Sequence, residues 1–272
     1  MIGGMMAVLG HLIDGNSRVY GIIADPIAQV RAPDAMNEII AARKSNAVFV
    51  PFHVHAGDLS VFVAGLKAWR NLPGFTLTVP HKETARALCD RVGPMAAITG
   101  SVNVVRKGSD GAWEGETYDG LGFVSGLKSE GIDPAGASIY VQGAGGASKA
   151  IVAALADAGA RRIAVANRST IRATILIERL ETVYPGRCVI AGPADLVGAD
   201  IVINTTSLGL NENDPSPIDT SALHSRQIIA EVIMRPDTTA LLEVAQARGC
   251  RVHKGVHMLT GQVREIANFL GI

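Results

Sequence analysis

Cysteine is scarce in this chain: three thiols, Cys89, Cys188 and Cys250, odd in number and far apart. That count and spacing fit neither a disulfide framework nor a zinc site, and each thiol reads as a small core hydrophobe. Aromatic residues make up only 4%, too few for repeated base-stacking platforms. Net charge is missing as well, since 25 Lys and Arg face 25 Asp and Glu. That balance supplies no whole-chain grip on nucleic acid or on an anionic membrane. No apolar run approaches the roughly 20 residues that cross a bilayer. The apolar opening, residues 1–13, has no basic residues before it, is cut off by Asp14 and lacks a cleavage signature, unlike a secretory peptide. The expectation is a cytoplasmic protein with neither a nucleic-acid nor a membrane partner.

What is present is a chain of 272 residues, 48% of them hydrophobic, which suffices for one or two domains with a sizeable core. Apolar, β-rich stretches alternate with helix-period stretches from end to end. Strands are expected over 18–24, 47–53, 74–79, 138–142, 162–166, 200–204, 227–233 and 251–253. Helices are expected over 33–44, 59–69, 81–89, 120–130, 147–158, 170–183, 238–249 and 257–270. Such alternation predicts an α/β fold with parallel sheets and helices on their faces. The polar, glycine-rich stretch 107–116 reads as a hairpin tip, and a boundary near Asp119 divides the chain into two lobes with a cleft between them.

One loop carries chemistry by itself. Ser138-Ile-Tyr-Val-Gln142 runs into Gly143-Ala-Gly-Gly-Ala147 and then Ser148, with a helical pattern at once behind. Glycines let the backbone turn tightly against a pyrophosphate, whose charge the free amides of a helix start stabilise. Ser148 stands where the third glycine of Gly-x-Gly-x-x-Gly belongs, and a plain strand–helix turn is the competing reading. The next strand ends at Asn167-Arg168-Ser169, without the carboxylate that would accept from an NAD ribose. Arg168 and Arg172 suit a 2′-phosphate instead, because guanidinium–phosphate pairs are charge-assisted and bidentate. NADP(H) is therefore the expected cofactor, against the alternative of two solvated arginines.

Several segments in register resemble the shikimate dehydrogenase family. They are Phe75-Thr-Leu-Thr-Val-Pro-His-Lys82, Gly100-Ser-Val-Asn103, Tyr118-Asp-Gly-Leu-Gly-Phe123, the glycine loop from Gly143 to Ala147, and Asn167-Arg-Ser169. Asn204-Thr-Thr-Ser-Leu-Gly209 and Gly255-Val-His-Met-Leu-Thr-Gly-Gln262 complete the set. The resemblance implies a substrate-binding α/β domain over 1–119 with 254–272, and a Rossmann-type, doubly wound NADP-binding domain over 120–253. It also implies NADP-dependent interconversion of 3-dehydroshikimate and shikimate, with Lys82 and Asp119 as the catalytic pair. Thr78, Asn103 and Gln262 match positions that bind the hydroxyls of a cyclic substrate. Asn204, Thr205 and Ser207 fall near the nicotinamide, with Gly255 and Met258 on its other side.

The chain departs from the family where the substrate carboxylate is read. Relatives carry Pro-Ile-x-His-Ser-x-Ser-Pro, with two serines on the carboxylate; here the segment is Asp25-Pro-Ile-Ala-Gln-Val-Arg-Ala-Pro33, with Val30 and Ala32 in their places. Two donors, each worth about 1.5–3 kcal/mol, are lost. The late Asp-x-x-Tyr-x-Pro pattern becomes Glu231-Val-Ile-Met-Arg-Pro236, without its tyrosine. Hydride chemistry with an altered substrate follows, and Arg31 or Gln29 is a candidate replacement ligand for the carboxylate, against the alternative that Arg31, alternating with Val30 and Ala32, faces solvent. The alternatives are a dehydrogenase of quinate or another polyol acid, and a non-catalytic NADP(H)-binding regulatory relative. Metal-dependent hydrolysis has little support, because His53/His55 and His253/His257 lack accompanying ligands at suitable spacing. No metal is expected, the partner is a small cyclic hydroxy acid, and both monomer and homodimer remain open.

Overall fold

A computed structural model describes residues 13–272, so nearly all of the apolar opening stretch lies outside the described residues. In chain order the elements are β1 (Arg18–Ala24), α1 (Ala32–Ala42), β2 (Ala47–His53), α2 (Leu59–Leu66), β3 (Gly74–Leu77), α3 (Ala85–Leu88), β4 (Arg91–Val92), α4 (Pro94–Thr99), β5 (Val104–Lys107) and β6 (Trp113–Glu116). There follow α5 (Asp119–Ser129), β7 (Ser138–Gln142), α6 (Gly146–Asp157), β8 (Arg162–Ala166), α7 (Thr170–Glu181), β9 (Cys188–Ile190), α8 (Pro193–Val197) and β10 (Ile201–Asn204). The last are β11 (Ile228–Glu231), α9 (Ala240–Ala247), β12 (Arg251–His253) and α10 (Val256–Leu270). They sort into two compact units. One comprises the described residues through Ala96 with Ser101–Tyr118 and Val263–Ile272; the other comprises Ala97–Gly100 and Asp119–Gln262.

The first unit holds a sheet in the order β2-β1-β3-β5-β6-β4. β1 lies in its interior and is buried without a break from Tyr20 to Ala24, as a strand covered on both faces must be. Successive side chains point to opposite faces. Ile22 joins Tyr20, Met36, Ile40, Phe49 and Leu270 in one core cluster, while Ile23 joins Leu59, Leu72, Phe75, Leu77 and Trp113 in the other. Met36 and Ile40, four apart, form the stripe that seats α1. The parallel part of this sheet is joined by the hairpin that the stretch 107–116 led one to expect. β5 pairs antiparallel with both β3 and β6, and the glycine-rich stretch after β5 closes the hairpin that joins it to β6.

The second unit holds a fully parallel sheet in the order β12-β11-β10-β7-β8-β9. This is the doubly wound order, in which the chain reverses direction beside its first strand. The reversal falls between β7 and β10, where Gln142 lies opposite Asn204. Helix α5 packs on α6 through Gly120. A Cβ built there would collide with the Ala150 carbonyl oxygen and come within 2.7 Å of Ala154 Cβ. The backbone oxygen cannot retreat, so Gly120→Ala should cost about 1–3 kcal/mol by overpacking. Urea unfolding of the two proteins measures it; equal midpoints would show that the helices separate without penalty.

The helix expected over 81–89 shortens to Ala85–Leu88, because residues 81–84 form turns tied to neighbouring strands. The short elements β4, β9, α4 and α8 were not anticipated. Among the described residues no helix is long and apolar enough to cross a membrane.

Candidate active site

In the first unit, one end of the sheet gathers several polar residues. The ends of β1 and β3 are laced together: Thr78 N donates to Ile23 O (3.0 Å) and Asp25 N to Val79 O (3.1 Å). The next turn is closed by His81 N on Thr78 O (2.8 Å), and Val102 N reaches Lys82 O (2.9 Å). Leu77 N donates to Asn103 O (2.8 Å), which brings Asn103 beside β3. Lys82 and Asn103 are buried, 8% and 4% exposed, and Thr78 is half-buried. Asn103 Oδ1 accepts from Tyr118 N (3.0 Å), fixing the backbone just before Asp119. His81 is buried with its Nε2 against Val54 O (2.9 Å), and burial holds its pKa below the usual imidazole value.

The segment leading into α1 is also set by packing. Val30 and Ala32 lie against the cluster around Tyr20 and Met36. Arg31 between them is half-buried, and among the described residues its Nε meets no acceptor.

In the second unit, Gly143 takes φ +121°, and a side chain on it would run into Thr205 Oγ1. That hydroxyl donates to Gln142 O (2.8 Å). Ser148, fully buried, donates to Gly143 O (2.6 Å), so the residue in the third glycine's place closes the loop from inside. Ala144 is buried, and Gly145, Gly146 and Ala147 are half-buried. Open space lies beside the Gly145 Cα. The bond from Lys149 N to Gly145 O (3.0 Å) begins the ladder of α6, so the amides of the first turn precede it. A half-buried helix start behind a positive-φ glycine, with open space beside Gly145, fits an anionic pyrophosphate.

At the end of β8, Asn167 Nδ2 donates to Ser169 O (2.9 Å), and Arg168 and Arg172 are exposed there. The donor set fits a 2′-phosphate.

At the end of β10, Asn204 is buried and ties down its own turn. Its Oδ1 accepts from Thr206 N (3.0 Å) and Thr206 Oγ1 (2.7 Å), and its Nδ2 donates to Leu208 O (3.1 Å). Ser207 stands exposed on that turn. Gly255 is buried beside the Ile233 carbonyl oxygen, and Met258, also buried, donates its N–H to Gly255 O (3.1 Å). Asp119, 1% exposed, opens α5. Gln262 Nε2 donates to Asp119 Oδ1 at 3.4 Å, so the expected catalytic carboxylate and the expected substrate ligand of this unit are adjacent.

Two ionisable groups that nothing in the sequence placed in the interior are buried. Glu231, at the end of β11, is 1% exposed; its Oε1 accepts from Thr239 Oγ1 (2.8 Å) while its Oε2 meets no donor among the described residues. Burial pushes its pKa up to about 7, against the pull of Thr239 and Asn204. His253 is likewise 1% exposed, with neither ring nitrogen bonded among the described residues. It stacks on His257 (4.8 Å) and meets Phe123 edge-on (5.7 Å), and burial drives its pKa down to about 4. The only sequence signal was an acidic residue closing an otherwise apolar strand. Among the described residues no group of three or more His, Cys, Asp or Glu is placed to hold a metal ion.

Comparison with known proteins matches residues 22–105 to the shikimate dehydrogenase substrate binding domain and residues 128–211 to shikimate / quinate 5-dehydrogenase. The shikimate dehydrogenase (NADP(+)) of Geobacter metallireducens is 37% identical over 258 residues, covering 92% of this chain and 90% of that protein. The shikimate 5-dehydrogenase of Thermus thermophilus, solved with NADP(H) and shikimate, superposes with a TM-score of 0.82 at 28% identity, covering 94% of each chain. The ligand-free 5-ketofructose reductase of Gluconobacter sp. strain CHM43 gives a TM-score of 0.78 at 30% identity, covering 93% of this chain and 92% of that one. Both halves of the chain thus match in order and nearly at full length, and the chain belongs to the shikimate dehydrogenase family.

Proposed function

We propose that this protein is a cytoplasmic, NADP-dependent oxidoreductase that interconverts 3-dehydroshikimate and shikimate, or a closely related cyclic hydroxy acid. The observation that carries the reading is the 37% identity to an NADP-dependent shikimate dehydrogenase over 92% of the chain. Four polar residues assigned from the sequence, Lys82, Asn103, Asp119 and Gln262, are all buried, which is costly for groups without a task. Residues 1–119 with 254–272 bind substrate and 120–253 bind the cofactor.

Bound NADP(H) supplies or accepts the hydride. In the reducing direction the ketone oxygen gains negative charge, and the Lys82 ammonium donates its proton to that oxygen. Asp119 accepts from a ring hydroxyl, its carboxylate oriented by Gln262. Thr78, Asn103 and Gln262 bind the remaining hydroxyls, and rejection of a wrong polyol follows from the unpaired groups it would leave. Gly143, whose own N–H is spent on Ala166 O (2.7 Å), shapes the turn, and the amides from Ala144 to Ala147 would hold the pyrophosphate. Asn167, Arg168, Ser169 and Arg172 would hold the adenosine end, and Asn204, Thr205, Ser207, Gly255 and Met258 would bind the nicotinamide end.

The test follows nicotinamide absorbance with shikimate, quinate and a neutral keto-polyol, each with NADP and with NAD. NADP-selective turnover of shikimate is expected; tight NADPH binding without turnover of any of them would leave a regulatory binding protein. A second reading is favoured by the apolar Val30 and Ala32 and by the 30% identity to a 5-ketofructose reductase: reduction of a neutral keto-sugar. Cofactor choice has its own test. Arg168→Ala with Arg172→Ala should raise the KM for NADPH roughly 10- to 100-fold by removing charge-assisted bonds, while the KM for NADH stays unchanged.

A further inference from the structure

We infer that Arg31 reads the acid group of the substrate, so that this enzyme selects an anionic ring over a neutral one by a single guanidinium. The inference rests on the oxidoreductase reading above and adds what distinguishes its substrate. Arg31 leads into α1 from the loop after β1, and that loop is bonded to the loop after β3 through Asp25 N on Val79 O. Arg31 therefore lies at the same end of the sheet as Thr78 and Lys82.

Its position is fixed from both sides. Val30 N is held by Ile27 O (3.2 Å) and Ala35 N by Arg31 O (3.5 Å), while the half-buried Val30 and Ala32 side chains pack against the core cluster. Arg31 itself is half-buried, and its Nε is out of solvent with no acceptor among the described residues. Asp25, the acidic residue of the same loop, is instead engaged by His53 Nε2 at 3.0 Å. A permanently charged donor that is dry at Nε and unmatched by a carboxylate is a cost, and an anionic ligand presented to the fork removes it. The guanidinium geometry matches a planar carboxylate in a way that one hydroxyl or one ammonium does not.

The experiment compares shikimate with its uncharged methyl ester, in wild type and in Arg31→Ala, Arg31→Gln and Arg31→Lys. KM and kcat are measured, and binding of both ligands to NADP-loaded protein is followed by calorimetry. NADPH affinity and thermal midpoint report that each variant is folded. Arg31→Ala should raise KM for shikimate roughly 10- to 100-fold with little change in kcat. The ester should lose almost nothing, so the preference for acid over ester collapses. Arg31→Lys should recover part of it, and Arg31→Gln very little. If wild type prefers the acid and Arg31→Ala keeps that preference, Arg31 is not its reader. If wild type binds a neutral keto-polyol and shows no preference for the acid, the inference and the acid-substrate reading both fall.

Discussion

Lys82→Ala should lower turnover by about three orders of magnitude while NADPH affinity stays within about threefold, the size expected when a positioned proton donor is removed. The prediction separates the two tasks by where the residues lie. Lys82 sits in the turn after β3, held through its carbonyl by Val102 N, whereas the glycine loop and the two arginines belong to the other unit. With Lys82 as the proposed proton donor, truncation would strip the alkoxide of its proton and its positive neighbour without touching the groups assigned to the cofactor. Because the loss falls on the transition state, kcat and kcat/KM should drop together. Arginine at this position keeps the charge but is a poor proton donor, so Lys82→Arg should rescue little. Pre-steady-state reduction followed at the nicotinamide, with NADPH titration as control, checks both halves. Near-normal turnover in Lys82→Ala would remove lysine from the mechanism.

The second large effect is on stability, and it is hidden in the wild type. Glu231 rises from an ordinary 4.5 to about 7 in the folded protein. Its contribution is fully present below pH 4.5 and is lost as pH climbs through 7, a change of about 3 kcal/mol. His253 falls from 6.5 to about 4. Its contribution is present above pH 6.5 and is lost as pH falls through 4, again by about 3 kcal/mol. Between about pH 4.5 and 6.5 the two slopes oppose each other and largely cancel. Removing either should expose the other. Glu231→Gln should gain stability relative to wild type between pH 5 and 8, and His253→Phe should gain relative to wild type as pH falls from 7 to 5. Urea unfolding of the three proteins at pH 5, 6, 7 and 8 reads the differences. Variant-to-wild-type differences that do not change with pH would mean these groups titrate as they do in the unfolded chain.

Much of the fold was legible because its strands are continuous apolar runs with polar or glycine ends. β1, β2, β7, β8 and β12 begin and end where the pattern puts them. The helix from 81 onward was overread because the apolar spacing continues through His81 and Lys82, while what decides their conformation is tertiary: a Val54 carbonyl for one and Val102 N for the other. β9 has three residues and α8 five, too few to show a period. The glycine loop and the arginines after β8 were readable because turn chemistry and charge are local. Glu231 was not, because nothing in Ile-Ile-Ala-Glu says that the carboxylate stays inside; its partner Thr239 is eight residues on and across a loop. Val30 and Ala32 were legible as departures, but only packing shows that they seat the segment carrying Arg31.

The hydroxyls of Ser148 and Thr205 both bond to backbone carbonyls at the start of the glycine loop, on Gly143 and Gln142. The conformational entropy of that loop, of order 1–2 kcal/mol per residue, is therefore surrendered during folding and not when a nucleotide arrives. A dinucleotide seated on this loop, as proposed above, would meet a cradle that is already shaped, so little of its contact energy would be diverted to ordering protein. Association can then proceed in one step at the rate of encounter, with affinity governed by how fast the nucleotide leaves.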